Sequence, residues 1–179
     1  MDPPQVTEAD IAKYRGMVGA PLVAPTLLEP DTLRRFVHAI MDGDALYHDV
    51  AKAKSSKFGA LAAPPLYPVH AFRRAPDGAD PLEMLHADPD ADGSGGSDGM
   101  FFGLPPIETA FKRLLNGGNE IEFYRNLAVG ERCVARARYA NVNLKQGKSG
   151  TMLLVDVETE FRTEAGELLL INRQTLIWR

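Results

Sequence analysis

The chain has 179 residues, of which 45% are hydrophobic and 25% are charged, and its formal net charge is -4. This length suits one compact domain, and the composition is that of an ordinary globular protein. The acidic balance and the lack of a Lys/Arg cluster argue against a nucleic-acid partner. No run approaches the roughly 20 apolar residues that a membrane span needs.

The single cysteine and the first residues of the sequence favour a cytoplasmic protein. Cys133 has no second cysteine with which to form an internal disulfide. It lies in an alternating apolar pattern, which predicts a strand residue rather than a nucleophile. The first four residues, Met1 to Pro4, do not begin a basic stretch followed by an apolar run, so we expect no signal peptide.

The first half of the chain predicts helices. Pro30 and Asp31 are typical of a first helical turn, and apolar residues follow at helical spacing; we expect the buried stripe to consist of Leu33, Phe36, Val37, Ile40 and Met41. Gly43 is expected to end this helix. A loop over 42–49 and a short helical turn over 51–54 follow. A second helix is predicted from about Pro65 to Arg73, because proline is tolerated in a first turn.

Residues 77–99 form a tract rich in Asp, Gly, Ser and Pro, which predicts a flexible acidic insert at the surface. The chain on either side is too small to fold alone. We therefore expect residues 1–179 to be a single domain that carries this insert.

The second half of the chain changes to a period of two, which is typical of strands. Strands are predicted over 120–124, 134–139, 153–161 and 168–178, and turn residues separate the last three. Long strands joined by short turns indicate an antiparallel meander. The predicted fold class is therefore α+β, with helices packed on one face of the sheet.

Three segments together resemble a known family. They are Met41-Asp42-Gly43-Asp44-Ala45-Leu46-Tyr47-His48-Asp49, the segment that ends in Ala62-Ala63-Pro64-Pro65, and Asn116 to Arg125 followed by Val129-Gly130-Glu131. Their order and spacing are similar to those of the MaoC-like hydratases and dehydratases, specifically the N-terminal, fatty-acid-synthase-like half. The resemblance implies a hot-dog fold, in which an antiparallel sheet wraps around a central helix and pairs with a second hot-dog.

Active members of that family carry Gly-Asp-x-Asn-Pro-x-His, followed by a helix that opens with Ala-His-Gly. Their Asp and His act as general base and acid on an enoyl thioester, and a backbone N–H beside the Gly stabilises the enolate. Here Asp42 matches the family Asp, but Tyr47 occupies the His position and His48 comes one residue late. Pro64-Pro65 replaces His-Gly, and Pro65 has no N–H to donate. The N–H of Leu66 is a possible substitute.

The resemblance implies a subunit of a heteromeric (R)-specific enoyl-CoA hydratase or dehydratase that binds an acyl-CoA thioester. A second MaoC-like subunit would supply the catalytic pair. This chain, itself noncatalytic, would form the acyl-pocket wall, and the candidate substrate-binding residues are Tyr47, Ala63, Pro64, Pro65 and Leu66. The small residues Ala60, Ala62 and Ala63, together with the loss of a tight oxyanion site, suggest room for a bulky acyl group, such as a long-chain or steroid side-chain thioester.

Two alternatives remain open from the sequence. One is a self-sufficient homodimeric hydratase that uses Asp42 and His48 as its catalytic pair. The other is a non-enzymatic module that binds acyl thioesters or acts as a scaffold. We expect no cofactor and no metal site, because no His/Cys/Asp/Glu cluster has metal-ligand spacing. The acyl group, the partner subunit and the choice between coenzyme A and acyl carrier protein stay undetermined.

Overall fold

A computed structural model describes residues 6–72, 87, 101–111, 113–147 and 150–179 of the chain. Its elements in chain order are α1 (Glu8–Ala12), β1 (Leu22–Val23), α2 (Pro30–Ala39), α3 (Val50–Ser55), α4 (Tyr67–His70), β2 (Leu114–Phe123), β3 (Cys133–Gly147), β4 (Gly150–Thr163) and β5 (Leu168–Trp178). The insert predicted at 77–99 lies outside the described residues, apart from Ala87.

The strands form one antiparallel sheet in the order β1-β3-β4-β5-β2. The predicted meander is therefore present as β3, β4 and β5, and β2 pairs with β5 at one edge of the sheet. Buried apolar and more exposed polar residues alternate along β4, so the sheet has one buried face. Residues such as Leu153 and Val155 are fully buried, whereas the intervening Asp156 and Glu158 lie on the opposite face.

Two β-bulges bend the sheet. The register shifts between Asn116 and Gly118 in β2 and between Tyr139 and Asn141 in β3, so Gly117 and Ala140 are the extra residues. A side chain at Gly117 would meet the backbone oxygen of Thr175 at 3.0 Å. A Cβ atom here would lie tighter against β5 than most Cβ contacts do, which favours glycine at this bulge.

Helix α2 packs its apolar stripe on the sheet, but the stripe is shorter than predicted. Leu33, Phe36 and Val37 are buried, whereas Ile40 is 47% exposed and Met41 is 90% exposed. The prediction that these last two residues are buried is wrong. The helix ends at Ala39, and Met41 turns the chain away with a left-handed φ of 56°.

Helix α4 is also shorter than the sequence predicted. It contains only Tyr67–His70, and the residue that follows it is Ala71; Arg73, where we expected it to end, lies outside the described residues. None of the helices among the described residues is long and apolar enough to span a membrane.

The segment before α2 covers one edge of the sheet, which the sequence did not predict. Backbone N–H groups of Gly16, Gly19 and Ala24 each donate at 2.9 Å to carbonyls of β3, and β1 adds two paired residues. Apolar alternation is absent from this segment, so its pairing depends on the tertiary structure. The edge formed by β2 carries no such cover among the described residues.

Candidate functional site

The carboxylates of the loop over 42–49 hold the backbone of the loop itself. Asp42 Oδ1 accepts a hydrogen bond from the backbone N–H of Asp44 at 3.0 Å, and Asp44 Oδ1 accepts from that of Leu46 at 3.0 Å. Asp49 Oδ1 caps α3 by accepting from Ala51 at 2.8 Å and from the next residue. The loop is therefore fixed by short-range side-chain acceptors.

The two predicted catalytic residues lie close together, but their functional groups do not meet. His48 Nε2 lies 3.2 Å from the backbone oxygen of Asp42, not from its carboxylate. The exposed His48 ring lies beside that of His38, with 5.5 Å between centroids. Both histidines border an open depression of about 510 Å³ that Met41 and Asp42 also line. No hydrogen bond joins the Asp42 carboxylate to the imidazole among the described residues.

Tyr47 faces a different space, which we call the Tyr47 cleft. It has a volume of about 540 Å³, and its lining residues are Tyr47, Lys57, Phe58, Ala62, Pro65, Phe123, Tyr124, Arg125, Asn126 and Ala128. Aromatic and small side chains dominate this lining, and Lys57 and Arg125 are its two cations. The cleft therefore offers a mixed polar and apolar surface, with aromatic rings beside cations in its wall.

Hydrogen bonds tie the wall of the cleft to the segment between β2 and β3. The Ala63 N–H donates to the carbonyl of Leu127 at 2.7 Å, and Asn126 Nδ2 donates to the carbonyl of Ala63 at 2.7 Å. Ala62 pairs with Ala128 in an isolated β-bridge. These contacts hold the segment that enters α4 against the chain that leaves β2.

The predicted substrate-binding residues take different positions in this wall. Tyr47 and Pro65 line the cleft. Ala63 is fully buried behind it, and Pro64 is buried as well. Leu66 is 44% exposed and lies outside the lining. The structure thus brings two of the five predicted residues to one cleft.

The start of α4 has one backbone N–H without a described partner. The chain turns there because the Tyr67 N–H donates to the carbonyl of Pro64 at 2.9 Å. Pro65 and Pro68 have no N–H. Among the hydrogen bonds between described residues, none is donated by the N–H of Leu66.

The guanidinium of Arg125 is held by two carboxylates, and we call its pair with Glu131 the Arg125–Glu131 clamp. Its guanidinium donates to both oxygens of Glu131 and lies 3.1 Å from Glu167. Partial burial opposes the charge of Glu131, yet Arg125 and the N–H of Ala128 hold the pKa of this carboxyl below its ordinary value. The hydrogen bonds to Glu131 likewise raise the pKa of Arg125. Arg125 is therefore a structural cation.

Tyr47 remains a neutral hydrogen-bond donor in the cleft. Partial burial, followed by the nearby Asp42 and Asp44 carboxylates, raises the pKa of its phenol. The phenol therefore stays protonated at neutral pH. Its O–H can donate to a polar group of a ligand that enters the cleft.

Several residues of the cleft were not predicted from the sequence. Lys57, Phe58, Phe123 and Tyr124 lie in its wall, and Lys57 has no ion pair within the described part of the chain. The adjacent aromatic pair at the end of β2, half-exposed at 52% and 54%, is the sequence signal that could have indicated it.

Three further residues of chemically reactive or aromatic type, Cys133, Trp178 and His70, lie outside the cleft. Cys133 is buried in β3, and the buried Trp178 ring stacks on Phe101 with 6.4 Å between centroids. His70 is exposed at the end of α4, with its ring 5.3 Å from Phe36. Within the described ranges, no group of three or more His, Cys, Asp or Glu side chains is placed to hold a metal ion.

Known proteins match this chain over most of its length. The family described as "FAS1-like, dehydratase domain region" matches residues 17–171. A UPF0336 protein of Thermobifida fusca is 24% identical over 147 residues, which cover 82% of this chain and 80% of that protein.

Two solved structures share the fold. The ChsH1-ChsH2 complex of Mycobacterium tuberculosis matches with a TM-score of 0.68 at 16% identity, over 95% of this chain and 89% of that chain. The HadBC complex of the same organism, a (3R)-hydroxyacyl-ACP dehydratase, matches with a TM-score of 0.57 at 15% identity, over 92% and 96% of the two chains. The predicted hot-dog fold and MaoC-like resemblance are confirmed.

Proposed function

Because this chain belongs to the family of FAS1-like dehydratase domain regions, we propose that it is the noncatalytic subunit of a heteromeric (R)-specific enoyl-CoA hydratase or dehydratase. In this proposal a second MaoC-like hot-dog subunit supplies the catalytic Asp/His pair. This chain supplies a wall of the acyl pocket through the Tyr47 cleft.

The observation that carries the proposal is that the Asp42 carboxylate and the His48 imidazole, the candidate base and acid, do not contact each other. General acid–base catalysis needs two groups within hydrogen-bond reach of one water or substrate. The Asp42 carboxylate accepts from its own loop, and His48 points at a backbone oxygen. The residue at the family's His position, Tyr47, faces the cleft instead. Its neutral phenol can position a ligand but has little tendency to remove a proton.

The start of α4 supports the same assignment. An oxyanion donor is a backbone N–H aimed at the carbonyl oxygen of the substrate. Pro65 lines the cleft at the position of the family Gly and has no N–H. The N–H of Leu66 is the available donor in this turn, although the Leu66 side chain lies outside the cleft lining. A weakened oxyanion site is compatible with binding an acyl group but not with efficient catalysis.

The lining of the cleft fits an acyl thioester. Phe58, Phe123 and Ala62 offer apolar contact to an acyl chain, and Lys57 offers a charge to an anionic carrier group. The small residues leave room for bulky groups, so long-chain and steroid side-chain acyl thioesters are the candidates. The ChsH1-ChsH2 and HadBC structures are both complexes, which supports assembly with a second hot-dog subunit.

The self-sufficient hydratase is the second candidate function. It is favoured by the short distance between His48 Nε2 and the backbone of Asp42, because rotation of the Asp42 side chain could bring both groups to the depression they share. This candidate requires catalysis by the isolated chain.

Filling the cleft tests where the acyl group binds. Ala128 lines the cleft and is half-buried, so Ala128→Phe should block the cleft and weaken octanoyl-CoA binding by about tenfold or more, measured by calorimetry. The matched control is Ala165→Phe, in the exposed turn between β4 and β5, which should bind normally. Equal urea midpoints would show that both variants fold. Unchanged binding by a folded Ala128→Phe variant would contradict the assignment of the cleft.

A further inference from the structure

The two edges of the sheet differ in how they are protected. Residues 16–28 cover the outer edge of β3 with backbone hydrogen bonds. Strand β2 forms the opposite edge, and all five residues from Asn116 to Glu120 are exposed. An uncovered edge strand offers unpaired backbone groups to another strand. The β2 edge is therefore the place where a second sheet can join this one.

The β2 edge carries features that disfavour indiscriminate pairing. The bulge at Gly117 interrupts its register, and Gly118 has a φ of 131°. Glu120 and Glu122 project from the outer face of the strand, because they share that face with Arg173 and Ile171 of β5. Bulges and charged side chains on an edge are two of the devices that prevent unwanted strand addition.

Self-pairing of β2 would bring these glutamates together. Two copies joined edge to edge by a two-fold axis perpendicular to the sheet pair antiparallel, with the same face up. Registers centred on residue 120, 121 or 122 then place Glu120 opposite Glu120, Glu120 opposite Glu122, or Glu122 opposite Glu122. Directly opposite residues have Cβ atoms about 4.5–5.5 Å apart, and like charges at that distance are destabilising.

Neighbouring side chains neutralise the charge of only one of the two glutamates on this edge. Glu122 forms an ion pair with Arg173 and accepts from the Tyr124 hydroxyl at 2.7 Å. Glu120 has no ion pair among the described residues. A groove of about 370 Å³ beside it is lined by the carboxylates of Glu120, Asp156 and Glu158 and by only one guanidinium, that of Arg173. The outer face at this edge is therefore net acidic.

We propose that the β2 edge selects against a second copy of this chain and accepts a different hot-dog subunit whose facing strand carries Lys or Arg opposite Glu120 and Glu122. This inference rests on the proposed heteromeric assembly and names the chemistry of the partner edge. Backbone pairing supplies the common part of the interface, and the charges decide which chain can join.

A charge swap tests this selection with the full chain. Sedimentation equilibrium at low salt should find the wild type and the double variant Glu120→Lys/Glu122→Lys largely monomeric when each is alone at micromolar concentration, because every self-paired register then places like charges opposite each other. An equimolar mixture of the two should form one-to-one dimers at least about tenfold more tightly than either chain alone. Added salt should weaken the mixed dimer, because screening reduces the attraction. Glu120→Thr should self-associate more tightly than the wild type.

The control is Glu108→Lys, which changes an exposed carboxylate paired with Lys13 away from β2. It should not form mixed dimers with the wild type. A wild-type homodimer whose affinity is unaffected by Glu120→Lys/Glu122→Lys and by salt would overturn the inference, and so would a mixture of wild type and double variant that forms no dimer. Octanoyl-CoA binding measured on the same variants separates the two proposals, because the edge can fail this test while the cleft still binds.

Discussion

Met41 holds a backbone conformation that its side chain disfavours. Its φ of 56° is left-handed, and its side chain is 90% exposed. The conformation ends α2, because it lets the Asp42 N–H donate to the carbonyl of Val37 at 2.9 Å. A left-handed conformation costs a residue with a side chain about 1–2 kcal/mol. Met41 is therefore a strained residue next to a candidate catalytic position.

Replacing Met41 by glycine should stabilise the fold. Glycine removes the strain of the left-handed conformation, but it also loses more chain entropy on folding than methionine does. The first effect is the larger one, so Met41→Gly should raise the free energy of unfolding by about 0.5–1 kcal/mol. Urea denaturation measures it. Ile40→Gly is the control, because Ile40 has a φ of -87° and gains no such relief. A lower urea midpoint for Met41→Gly would contradict this account of the helix end.

Cys133 should be inert in the folded protein. Burial raises the pKa of its thiol to about 12, so the reactive thiolate is disfavoured in the fold. Between about pH 8 and 9 the unfolded thiol begins to ionise while the folded thiol stays protonated. Iodoacetamide labelling at pH 8.5 should therefore be at least about a hundredfold slower in the native protein than in urea. Comparable rates would show that Cys133 is accessible.

Single residues were the least predictable part of the site from the sequence. Aligning the family motif identified Asp42, Tyr47 and Pro65, and two of these three line the cleft. Ala63 was expected in the lining but lies behind it, because its backbone pairs with Leu127 and its Cβ faces the core. Sequence spacing gives the position of a residue in a segment but not the side of the segment that faces the cleft.

At the scale of elements, the strands were predicted better than the helices. The period-two pattern located β4 and β5 because each buries one face along its whole length. Helix α2 ends earlier than its apolar spacing indicated. Met41 adopts the left-handed conformation that usually requires glycine, so the sequence carries no glycine at this position to signal the helix end. The pairing of residues 16–28 with β3 depends on contacts distant in sequence, so local patterns could not indicate it.

The segment between β2 and β3 is held by the Arg125–Glu131 clamp, which gives a pH prediction. The pKa of Glu131 is depressed in the fold, so its stabilisation is present at neutral pH and is lost as the pH falls below about 4.5, through the depressed value. Glu131→Gln should lower the free energy of unfolding by about 1–2 kcal/mol at pH 7, as measured by urea denaturation.

The pH dependence of stability below pH 5 distinguishes the Arg125–Glu131 pair from an ordinary surface ion pair. The difference between wild type and Glu131→Gln should shrink between pH 5 and pH 3, because the wild-type carboxylate becomes protonated. Glu160→Gln breaks the half-exposed pair with Arg162 and should change stability by less than about 1 kcal/mol at any pH. A constant difference for Glu131→Gln across this range would refute an ionised clamp.

At the scale of the whole molecule, the described residues cover one edge of the sheet and leave the β2 edge open, and the cleft lies at the end of the β2 edge. Phe123 ends β2, Tyr124 follows it, and both residues line the cleft. A subunit that joins at β2 would therefore approach the same cleft. Under the proposed function, this arrangement would let one chain bind the acyl group while another chain carries out the chemistry.

Hydration of crotonyl-CoA is the measurement that tests the central proposal most directly. It is made with this chain alone and with the chain assembled with a hot-dog subunit that has an intact Gly-Asp-x-Asn-Pro-x-His motif. We expect no hydration above background by the chain alone. In the complex, Asp42→Ala or His48→Ala should leave kcat nearly unchanged, whereas removing the Asp or His of the other subunit should lower it by about 10²–10⁴-fold. Robust hydration by this chain alone that His48→Ala abolishes would contradict the account and establish the self-sufficient hydratase.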